Sequence, residues 1–439
     1  MGVSGALLDV TPLRSSPAYR RLWLGGVFSG FGSQATMVAV PYQMWQLTHS
    51  TVWTGAVGIA QAAPLIAVGF AAGGLVDRVD RRRLYLVALT GQALCSVLLA
   101  VQGFAGVVPA IGVLAIVAVQ YCFVATGGPA ARTFIPRLLP PQQLAAGLAL
   151  SRISFQGTML VGPAVAGLVI GWFGVGGCYL IDAVSFLLAF YGAARLPAMR
   201  PDGESARPGL RGVADGLAFL LRTPVVRGAL LTDLAATVLA MPMSLFPIVN
   251  AERFGDNPRT YGLFLTAIAV GGVLASVLSG TFTRRARPGR AMLAGAAVWG
   301  VALAAFAVAP NPWLGLAFLA VAGAADTVSV VSRSTIVQLA TPDALRGRVA
   351  AAEQAVGQAG PDLGNLRGGL VAGATSGTAA LLSGGLTCLA GVAAIALTTP
   401  SLRHTRTEPE PAPSPPAPDR RPGAVDHGVV RTVSAYRTS

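Results

Sequence analysis

The sequence predicts an all-α integral membrane protein whose twelve transmembrane helices form two parallel repeats of six. Three observations lead to this fold class. Of the 439 residues, 53% are hydrophobic and only 11% are charged, whereas soluble domains average about 25% charged residues. Twelve apolar stretches each have roughly the 20 residues that a helix needs to cross a bilayer. Residue patterns near the ends of the first six stretches recur in the last six.

Each predicted span follows from one apolar stretch, and polar or arginine-bearing connections separate the stretches. The spans cover approximately residues 22–46, 51–75, 84–106, 108–131, 147–171, 175–195, 228–250, 260–282, 291–310, 312–334, 349–373 and 377–398. Several are rich in Gly and Ala, which allows helices to pack closely in lipid. The sequence therefore predicts a multi-pass protein of the cell membrane, surrounded by the lipid bilayer.

The rest of the chain divides around these spans. A short N-terminal segment covers 1–21, the first six-helix half covers 22–195, a central loop covers 196–227 and the second half covers 228–398. Residues 399–439 form a tail that is rich in proline between Glu408 and Pro422. Because such a composition favours extended, solvated chain and cannot build a core, we expect a disordered tail.

Arginine placement predicts the orientation of the spans, because cytoplasmic loops of membrane proteins carry an excess of basic residues. With both termini in the cytoplasm, Arg253 and Arg259 fall in outside loops. Arg152, Arg333 and Arg367 fall within spans or at their edges, and the other 27 arginines are cytoplasmic. We therefore expect both termini inside. Topology then explains the net charge of +14, and no nucleic-acid partner is expected.

The basic residues also exclude several kinds of chemistry, because all 32 of them are arginine. A P-loop needs a lysine that reaches the nucleotide phosphates, and a Schiff-base enzyme needs a lysine amine. The three histidines lie in the tail or at the end of a span, and the four cysteines lie in apolar runs. Neither set has the spacing of a metal site. We expect no enzymatic activity, no cofactor and no metal.

A sequence repeat relates the two halves. The recurring residues are Pro17, Arg20, Gly55 and Arg83, which match Pro224, Arg227, Gly262 and Arg290. Farther along, the segment from Arg132 to Ile135 matches the segment from Arg333 to Ile336. Both halves begin on the same side of the membrane, so they are parallel repeats. This arrangement resembles the major facilitator transporters, in which the substrate path lies between the halves.

The loop between spans two and three carries a second pattern, from Gly73 to Arg83, with the sequence Gly-Gly-Leu-Val-Asp-Arg-Val-Asp-Arg-Arg-Arg. Topology accounts for the arginines but not for Asp77, whose carboxylate implies an ion pair or a helix N-terminus. The loop resembles the signature loop of the major facilitator superfamily. The resemblance implies a conformational latch formed by Gly73, Asp77, Arg78, Arg81 and Arg82.

In that resemblance, the latch contacts the start of span eleven near Arg348. Asp80 stands where the family usually has glycine, a departure that would weaken the turn or add an ion pair. The corresponding loop of the second half, from Gly280 to Arg290, keeps the glycine and the arginines but has no carboxylate. We expect its latch to be weaker.

Span five contains Gly157, Gly162, Pro163 and Gly167. Proline removes a helical hydrogen bond, and glycine lets another helix approach closely. The pattern resembles the Gly-Pro-x-x-Gly-Gly motif of proton-coupled exporters, with Ala166 in place of one glycine. A kinked packing helix with no influence on the direction of transport would need the same residues, and both interpretations stay open. A related stripe in span eleven consists of Gly360, Gly364 and Gly368.

Ionisable residues within spans are costly to bury and mark substrate or ion pathways. The candidates are Asp182, Asp233, Asp326, Glu353, Asp362 and Arg367. Asp326 and Arg333 are two turns apart on one helical face, a spacing that also suits a structural ion pair. Because no histidine lies in the middle of a span, a proton relay would have to use carboxylates. For the substrate or proton path we predict Gln34, Gln120, Asp233, Asp326, Asp362 and Arg367.

The uncharged members of this set, Gln34 and Gln120, either bind a substrate or join helices. Span four reads Val-Gln-Tyr-Cys from Val119 to Cys122. It lacks the arginine that drug exporters of the superfamily often carry there, so their proton-coupling scheme does not transfer directly.

Four further segments narrow the resemblance to one branch of the superfamily. They are Ser16–Trp23, Thr48–Thr51, Arg287–Arg290 and Thr341–Val349. Together they resemble the transmembrane secretion effectors of the enterobactin exporter branch. The resemblance implies a secondary active exporter that exchanges protons for a siderophore or another small secondary metabolite, and we expect it to be monomeric.

Other functions fit the same pattern. The branch also includes multidrug and macrolide exporters, so antibiotic efflux is the main alternative. Import of a small solute is another, and the Gly-Pro pattern of span five argues against it. A transporter-like scaffold or sensor that signals through the tail belongs to a different class of function.

Overall fold

A computed structural model describes residues 9–76, 79–131, 133–199, 210–278, 287–342 and 345–405. Within these ranges all regular secondary structure is helical. Eight described helices are long and apolar enough to cross a membrane, and a bent pair covering 215–240 would be a ninth. The predicted all-α membrane fold is confirmed, and the predicted twelve spans are consistent with these helices.

Within the described residues, the N-terminal segment and the first half contain seven helices. They are α1 Thr11–Ser15, α2 Pro17–Thr48, α3 Thr51–Val76, α4 Arg81–Ala105, α5 Ala110–Ala131, α6 Phe134–Leu138 and α7 Pro141–Ala194. Helix α2 begins at Pro17 because Ser16 caps it, its Oγ accepting from the Tyr19 backbone N–H at 3.2 Å. Proline suits the first helical position, where its missing N–H would have had no partner.

The 54-residue α7 contains both predicted spans five and six. Gly174 divides it, with φ 68° and ψ −175°, a conformation outside the helical region. The positive φ favours glycine, because a side chain would clash with the backbone there. The chain therefore turns back at Gly174, between the predicted end of span five at 171 and the start of span six at 175.

The second half and its connection contain nine helices within the described residues. They are α8 Leu210–Arg222, α9 Pro224–Ala240, α10 Phe246–Arg253, α11 Pro258–Val277, α12 Pro288–Ala307, α13 Pro312–Ala340, α14 Arg346–Ala374, α15 Gly377–Thr398 and α16 Pro400–His404. Helix α9 begins at Pro224, the repeat partner of Pro17. The repeat found in the sequence thus marks equivalent helix starts.

Two segments differ from the predicted boundaries. Predicted span seven is divided, since α9 ends at Ala240 and α10 begins only at Phe246. Pro242 lies in the break and disfavours helix at the residue before it. The predicted central loop contains α8, which meets α9 at 100°.

The start of the predicted tail is also ordered. Helix α16 packs against the bundle, and the Leu402 side chain is fully buried. Glycine at position 289 lets the α16 backbone approach, because a Cβ atom there would collide with the Leu402 carbonyl group. Residues 406–439 of the predicted tail lie outside the described residues.

The helices pack as two bundles joined by two crossings. In the first half, α2 and α4 pack along α7, and α3 packs against α5. In the second half, α11 and α12 pack along α13, and α15 packs against α9 and α12. The halves meet where α3 crosses α14 and where α7 crosses α11.

Candidate substrate and proton pathway

The two crossings between the halves are built on pairs of glycines. A Cβ atom added to Gly55 of α3 would lie 3.0 Å from the Gly369 Cα of α14. A Cβ atom added to Gly167 of α7 would likewise lie 3.0 Å from the Gly262 Cα of α11. Gly55 and Gly262 are repeat partners, so the two crossings are equivalent under the internal symmetry. Only glycine allows the backbones to approach this closely.

The predicted span-five motif lies along this interface. A Cβ atom on Gly262 would come 2.5 Å from the Pro163 carbonyl oxygen, so Pro163 and Gly167 both face α11. Gly162 faces the other way, where Gln34 of α2 packs against it. Gly157 has open space around it. The motif therefore packs α7 against α2 of the same half on one side. On the opposite side it packs α7 against α11 of the second half.

Polar contacts close one end of the interface, near the end of α2 and the start of α11. The Tyr261 hydroxyl donates to the Val38 carbonyl oxygen at 3.0 Å, and the Tyr42 ring stacks on the Tyr261 ring at 5.6 Å. Gln46 Nε2 donates to Asp256 Oδ2 at 2.7 Å. These contacts join the end of α2 in the first half to the start of α11 in the second half.

A small cleft of about 40 Å³ lies between the halves beside these contacts. Residues from both halves line it, among them Met37, Gln61, Met243, Tyr261 and Asn365. All of its lining side chains are uncharged. The cleft therefore offers hydrogen-bonding groups and flexible thioethers, but no formal charge, to a bound molecule.

The break between α9 and α10 borders the cleft and is held by α14. The Ser244 backbone N–H donates to Asn365 Oδ1 at 3.1 Å, and Ser244 Oγ donates to the Asn365 carbonyl oxygen at 2.8 Å. The glycine stripe of α14 lies along the same segment. A Cβ atom on Gly364 would collide with the Thr237 carbonyl oxygen, and one on Gly368 would lie 3.3 Å from Leu245.

Arg367 takes part in the same contact. Its Nη1 donates to the Leu239 carbonyl oxygen, and its Nη2 lies 3.5 Å from Thr387 Oγ1. Leu239 is in the last turn of α9, where carbonyl oxygens have no partner within the helix. Arg367 therefore caps the C-terminal end of α9, which accounts for a guanidinium group in the middle of a span.

Three of the four acidic residues predicted for the second half lie around one arginine. Arg333 of α13 binds Asp233 of α9 at 3.4 Å and Glu353 of α14 at 3.1 Å. Asp326 interacts electrostatically with both Asp233 and Arg333. The spacing of Asp326 and Arg333 suited an ion pair, yet the described contacts of Arg333 are with Asp233 and Glu353. Three carboxylates share one cation.

Asp362 stands apart from this group, on the face of α14 that meets the first half. A Cβ atom on Gly58 of α3 would lie 2.6 Å from the Asp362 carbonyl oxygen. The side chain interacts electrostatically with Tyr121 of α5. Asp362 thus lies at the boundary between the halves, close to the cleft residue Asn365.

Gln120 belongs to a buried polar cluster of the first half. Its Nε2 donates to Ser96 Oγ at 3.0 Å and lies 3.4 Å from Asp182 Oδ2. The sequence places Asp182 among the intramembrane carboxylates but does not favour it for the pathway. The hydrogen-bond partners of Asp182 come from α2, α4 and α5. Only the tertiary structure shows that they converge on one carboxylate.

The predicted latch is described only in part. Gly73 is in the last turns of α3, while Asp77 and Arg78 lie outside the described residues. Arg81 and Arg82 begin α4, and Arg82 Nη2 donates to the Ala194 carbonyl oxygen at the end of α7. Arg348 marks the start of span eleven, which the latch is expected to contact. It binds Asp215 of α8 at 3.3 Å in an exposed ion pair.

Asp80, which stands where the family usually has glycine, acts as a helix cap. Its Oδ1 accepts from the backbone N–H of Arg82 at 2.9 Å and of Met199 at 3.2 Å. It therefore caps α4 and ties it to the segment after α7. Burial opposes ionisation, but these hydrogen bonds and the Arg83 charge together lower the pKa of Asp80 below its usual 3.8.

Within the described ranges, no group of three or more His, Cys, Asp or Glu side chains is arranged to hold a metal ion.

Comparison with known proteins identifies the family. Residues 9–430 match the family model described as transmembrane secretion effector. The chain belongs to this family. The enterobactin exporter EntS of Escherichia coli O9:H4 (strain HS) is 28% identical to it over 413 residues, which cover 92% of this chain and 97% of that protein.

Solved structures support the fold of this transmembrane secretion effector. The nucleoside transporter NupG has a TM-score of 0.70 at 14% identity, covering 88% of this chain and 98% of its own. A bacterial homologue of the iron transporter ferroportin, in an inward-facing state, has a TM-score of 0.67 at 15% identity, covering 88% and 99%. At these identities the likeness concerns the fold alone.

The chain therefore has the major facilitator fold that its sequence predicts. Its relatives are membrane transporters rather than enzymes, and it is a multi-pass membrane protein with a small-molecule substrate.

Proposed function

We propose that this protein is a secondary active exporter that moves a siderophore or another small secondary metabolite out of the cell in exchange for protons. The observation that carries the proposal is the cleft between the two halves, which residues of both halves line. In transporters built from parallel repeats, the substrate binds at the repeat interface and the halves rock around it. The substrate class and the direction come from the similarity to the enterobactin exporter.

The two glycine crossings support alternating access. They allow α3 to slide on α14 and α7 on α11, because no side chains interlock where Gly55 meets Gly369 and Gly167 meets Gly262. Both termini are cytoplasmic in this proposal, so the contacts around Tyr261 close the outer end. The Asp77 and Arg78 latch would then close the inner end in the opposite state.

Proton coupling is proposed for the intramembrane carboxylates. Asp362 lies at the boundary between the halves, and Asp326 lies where three carboxylates share the single cation Arg333. A carboxylate without its own cation is costly to keep ionised in a membrane interior, so it favours binding a proton. Gln34 and Gln120 position the helices, and Asp233 and Arg367 hold α9. The proposal needs only one chain, and we infer that the protein works as a monomer.

Transport in inside-out membrane vesicles tests the proposal. We expect vesicles with an acidic interior to accumulate labelled enterobactin, and a protonophore to abolish the accumulation. Asp362→Asn should reduce the accumulation, while the control Asp9→Asn, at an exposed position before α1, should not. Accumulation that ATP supports in the presence of the protonophore would contradict proton exchange.

Multidrug efflux is the second candidate, favoured by the lining of the cleft. Met37 and Met243 have flexible, polarisable side chains that adapt to varied ligands, and no charge selects among them. Deletion of the gene separates the two functions. Intracellular accumulation of a siderophore only under iron starvation supports siderophore export, whereas a change confined to drug resistance supports the second candidate.

A further inference from the structure

Asp182 is a fully buried carboxylate at which four helices of the first half meet. It lies on α7 beyond Gly174, and its exposed fraction is 0%. Thr36 Oγ1 of α2 and Ser96 Oγ of α4 each lie 2.8 Å from Asp182 Oδ2. Gln120 Nε2 of α5 is 3.4 Å from the same oxygen. One carboxylate oxygen thus collects the polar groups of three neighbouring helices.

The second oxygen, Oδ1, is buried without a hydrogen-bond partner. It faces Gly32 of α2, where a Cβ atom would lie only 2.8 Å from it. This close approach leaves no space for an ion. No arginine in the described part of the chain forms an ion pair with Asp182, so an ionised Asp182 would be buried without compensation.

The titratable side chains around Asp182 carry no charge at neutral pH. They are Tyr121 on α5 and Cys178 and Tyr179 on α7, and each interacts with it electrostatically. The groups that reach it from α2 and α4 are the hydroxyls of Thr36 and Ser96. Thiols and phenols are neutral at this pH, so nothing nearby supplies a positive charge.

The cluster accommodates both protonation states. With Asp182 ionised, both hydroxyls donate to Oδ2. With a proton on Oδ2, the carboxylic acid donates to Ser96 Oγ, which also accepts from Gln120 Nε2, while Thr36 continues to donate. A hydroxyl can serve as donor or acceptor by rotating, so the proton can be gained or lost without breaking the cluster apart.

Tyr121 connects this cluster to the boundary between the halves. It interacts electrostatically with Asp182 and also with Asp362 of α14. Tyr121 is therefore close enough to interact with a buried carboxylate of the first half and with a carboxylate of the second half.

We propose that Asp182 binds and releases a proton during the transport cycle, exchanging it with water from the side of Tyr121. The inference deepens the proposed proton exchange and rests on it. In the conformation described, the carboxyl group is protonated and shielded. When the halves rearrange, water reaches the cluster and the proton leaves for that water, so that Asp182 becomes a carboxylate.

Infrared difference spectroscopy tests protonation directly and needs no substrate. We expect the wild-type protein in lipid to show the C=O stretch of a protonated carboxylic acid that disappears as the pH rises. Asp182→Asn should remove this band. The control Asp233→Asn, which alters the carboxylate paired with Arg333, should leave it. A spectrum in which Asp182→Asn removes no carboxylic acid band would overturn the proposal.

Ser96→Ala provides a second test if Asp182→Asn does not fold. It removes a donor to the ionised form, so the band should persist to higher pH than in the wild type. A purely structural role for Asp182 would leave the midpoint of this titration unchanged, and that result would also overturn the proposal.

Transport separates this inference from the proposed function. With enterobactin as the probe, Asp182→Asn should retain exchange across vesicles without a pH gradient but lose its stimulation by a gradient. Unchanged stimulation, or loss of exchange in a folded variant, would count against Asp182. If the wild type itself shows no stimulation, the proposed proton exchange fails, while the infrared titration still decides whether Asp182 binds a proton.

Discussion

Arg367 lies in the middle of α14, where a guanidinium group needs hydrogen-bond acceptors in place of water. The chain supplies one through the break in span seven, because the Leu239 carbonyl oxygen is left without a helical partner at the end of α9. The positive charge also interacts favourably with the negative end of the helix dipole. A residue that the sequence assigns to the substrate path therefore has a clear structural task.

Replacing this arginine should destabilise the second half. Arg367→Met leaves the Leu239 carbonyl oxygen without its donor, and we expect the free energy of unfolding to fall by about 1–3 kcal/mol. SDS titration of the purified protein in mixed micelles measures this change. The control is Arg227→Met, at an exposed position at the start of α9, and it should have little effect. An equal loss in both variants would argue against the capping role.

Asp80 is a second residue whose task is local. Asp80→Ala removes the cap of α4, and we expect a loss of about 1 kcal/mol in the free energy of unfolding. Asp80→Asn keeps an acceptor and should retain most of the stability at neutral pH. Thermal unfolding in detergent compares the three proteins, and equal stability of the Ala variant and the wild type would refute the cap.

The same residue predicts a pH dependence. The pKa of Asp80 is lower in the folded protein than its usual 3.8, so the unfolded state binds the proton more readily. The stabilisation by the ionised carboxylate is therefore fully present above that usual value and is lost as the pH falls through the lowered folded pKa. The advantage of the wild type over Asp80→Asn should disappear in this acid range and stay constant above it.

Among the elements, α7 shows how one helix serves two interfaces. Gly162 lies against Gln34 of the same half, Gly167 lies against Gly262 of the other half, and Gly174 turns the chain back. The motif therefore packs helices at both interfaces, and its role in the direction of transport stays a prediction. Its glycines are not equivalent, because a Cβ atom on Gly157 would meet open space.

Alanine substitutions in α7 should distinguish these glycines. A Cβ atom on Gly167 would lie 2.7 Å from the Pro258 carbonyl oxygen, and such overpacking costs typically about 1–3 kcal/mol. Gly167→Ala should therefore lower both stability and transport. Gly157→Ala is the matched control in the same helix. It should be neutral or stabilising by about 0.5–1 kcal/mol, because alanine is the better helix former. Similar losses in both variants would mean that the Gly167 crossing is not critical.

At the scale of the whole molecule, the internal symmetry organises both fold and site. The crossings at Gly55 and Gly262 are equivalent, so the two halves meet through two contacts of the same kind. The buried charges do not follow this symmetry. The second half groups three carboxylates around Arg333, whereas the first half buries Asp182 among hydroxyl and amide groups. The two halves therefore hold their acidic groups by different means.

Cysteine labelling tests the orientation of the whole molecule. Pro310, between α12 and α13, and Ser401, in α16, are both exposed and lie in connections that the arginine pattern places on opposite sides. In a variant without native cysteines, a membrane-impermeant maleimide should label Pro310→Cys in intact cells. It should label Ser401→Cys only after lysis. The reverse pattern would invert the proposed topology.

The sequence alone was sufficient for the fold class and for the family, and it located several helices, but it predicted neither the break in span seven nor α8. Apolar stretches define helices because a lipid environment requires every backbone group to be paired within the segment. This local requirement explains why α15 has the predicted bounds of 377–398 and why Gly174 falls between two predicted spans. The sequence also identified the glycines of span five, because they accompany a proline. It identified the acidic residues within the spans, because charged side chains are rare there.

The partners of those residues were decided only by the tertiary structure. The spacing along one helix suggested Asp326 for Arg333, but Asp233 and Glu353 on two other helices bind it. Arg367 meets the end of a helix 128 residues away, and Asp182 meets donors from three other helices. Periodicity describes a single helix, whereas ion pairs and buried clusters depend on how helices are rotated and placed against one another. The sequence therefore determined which charged groups enter the membrane, and packing decided which of them are paired with a cation.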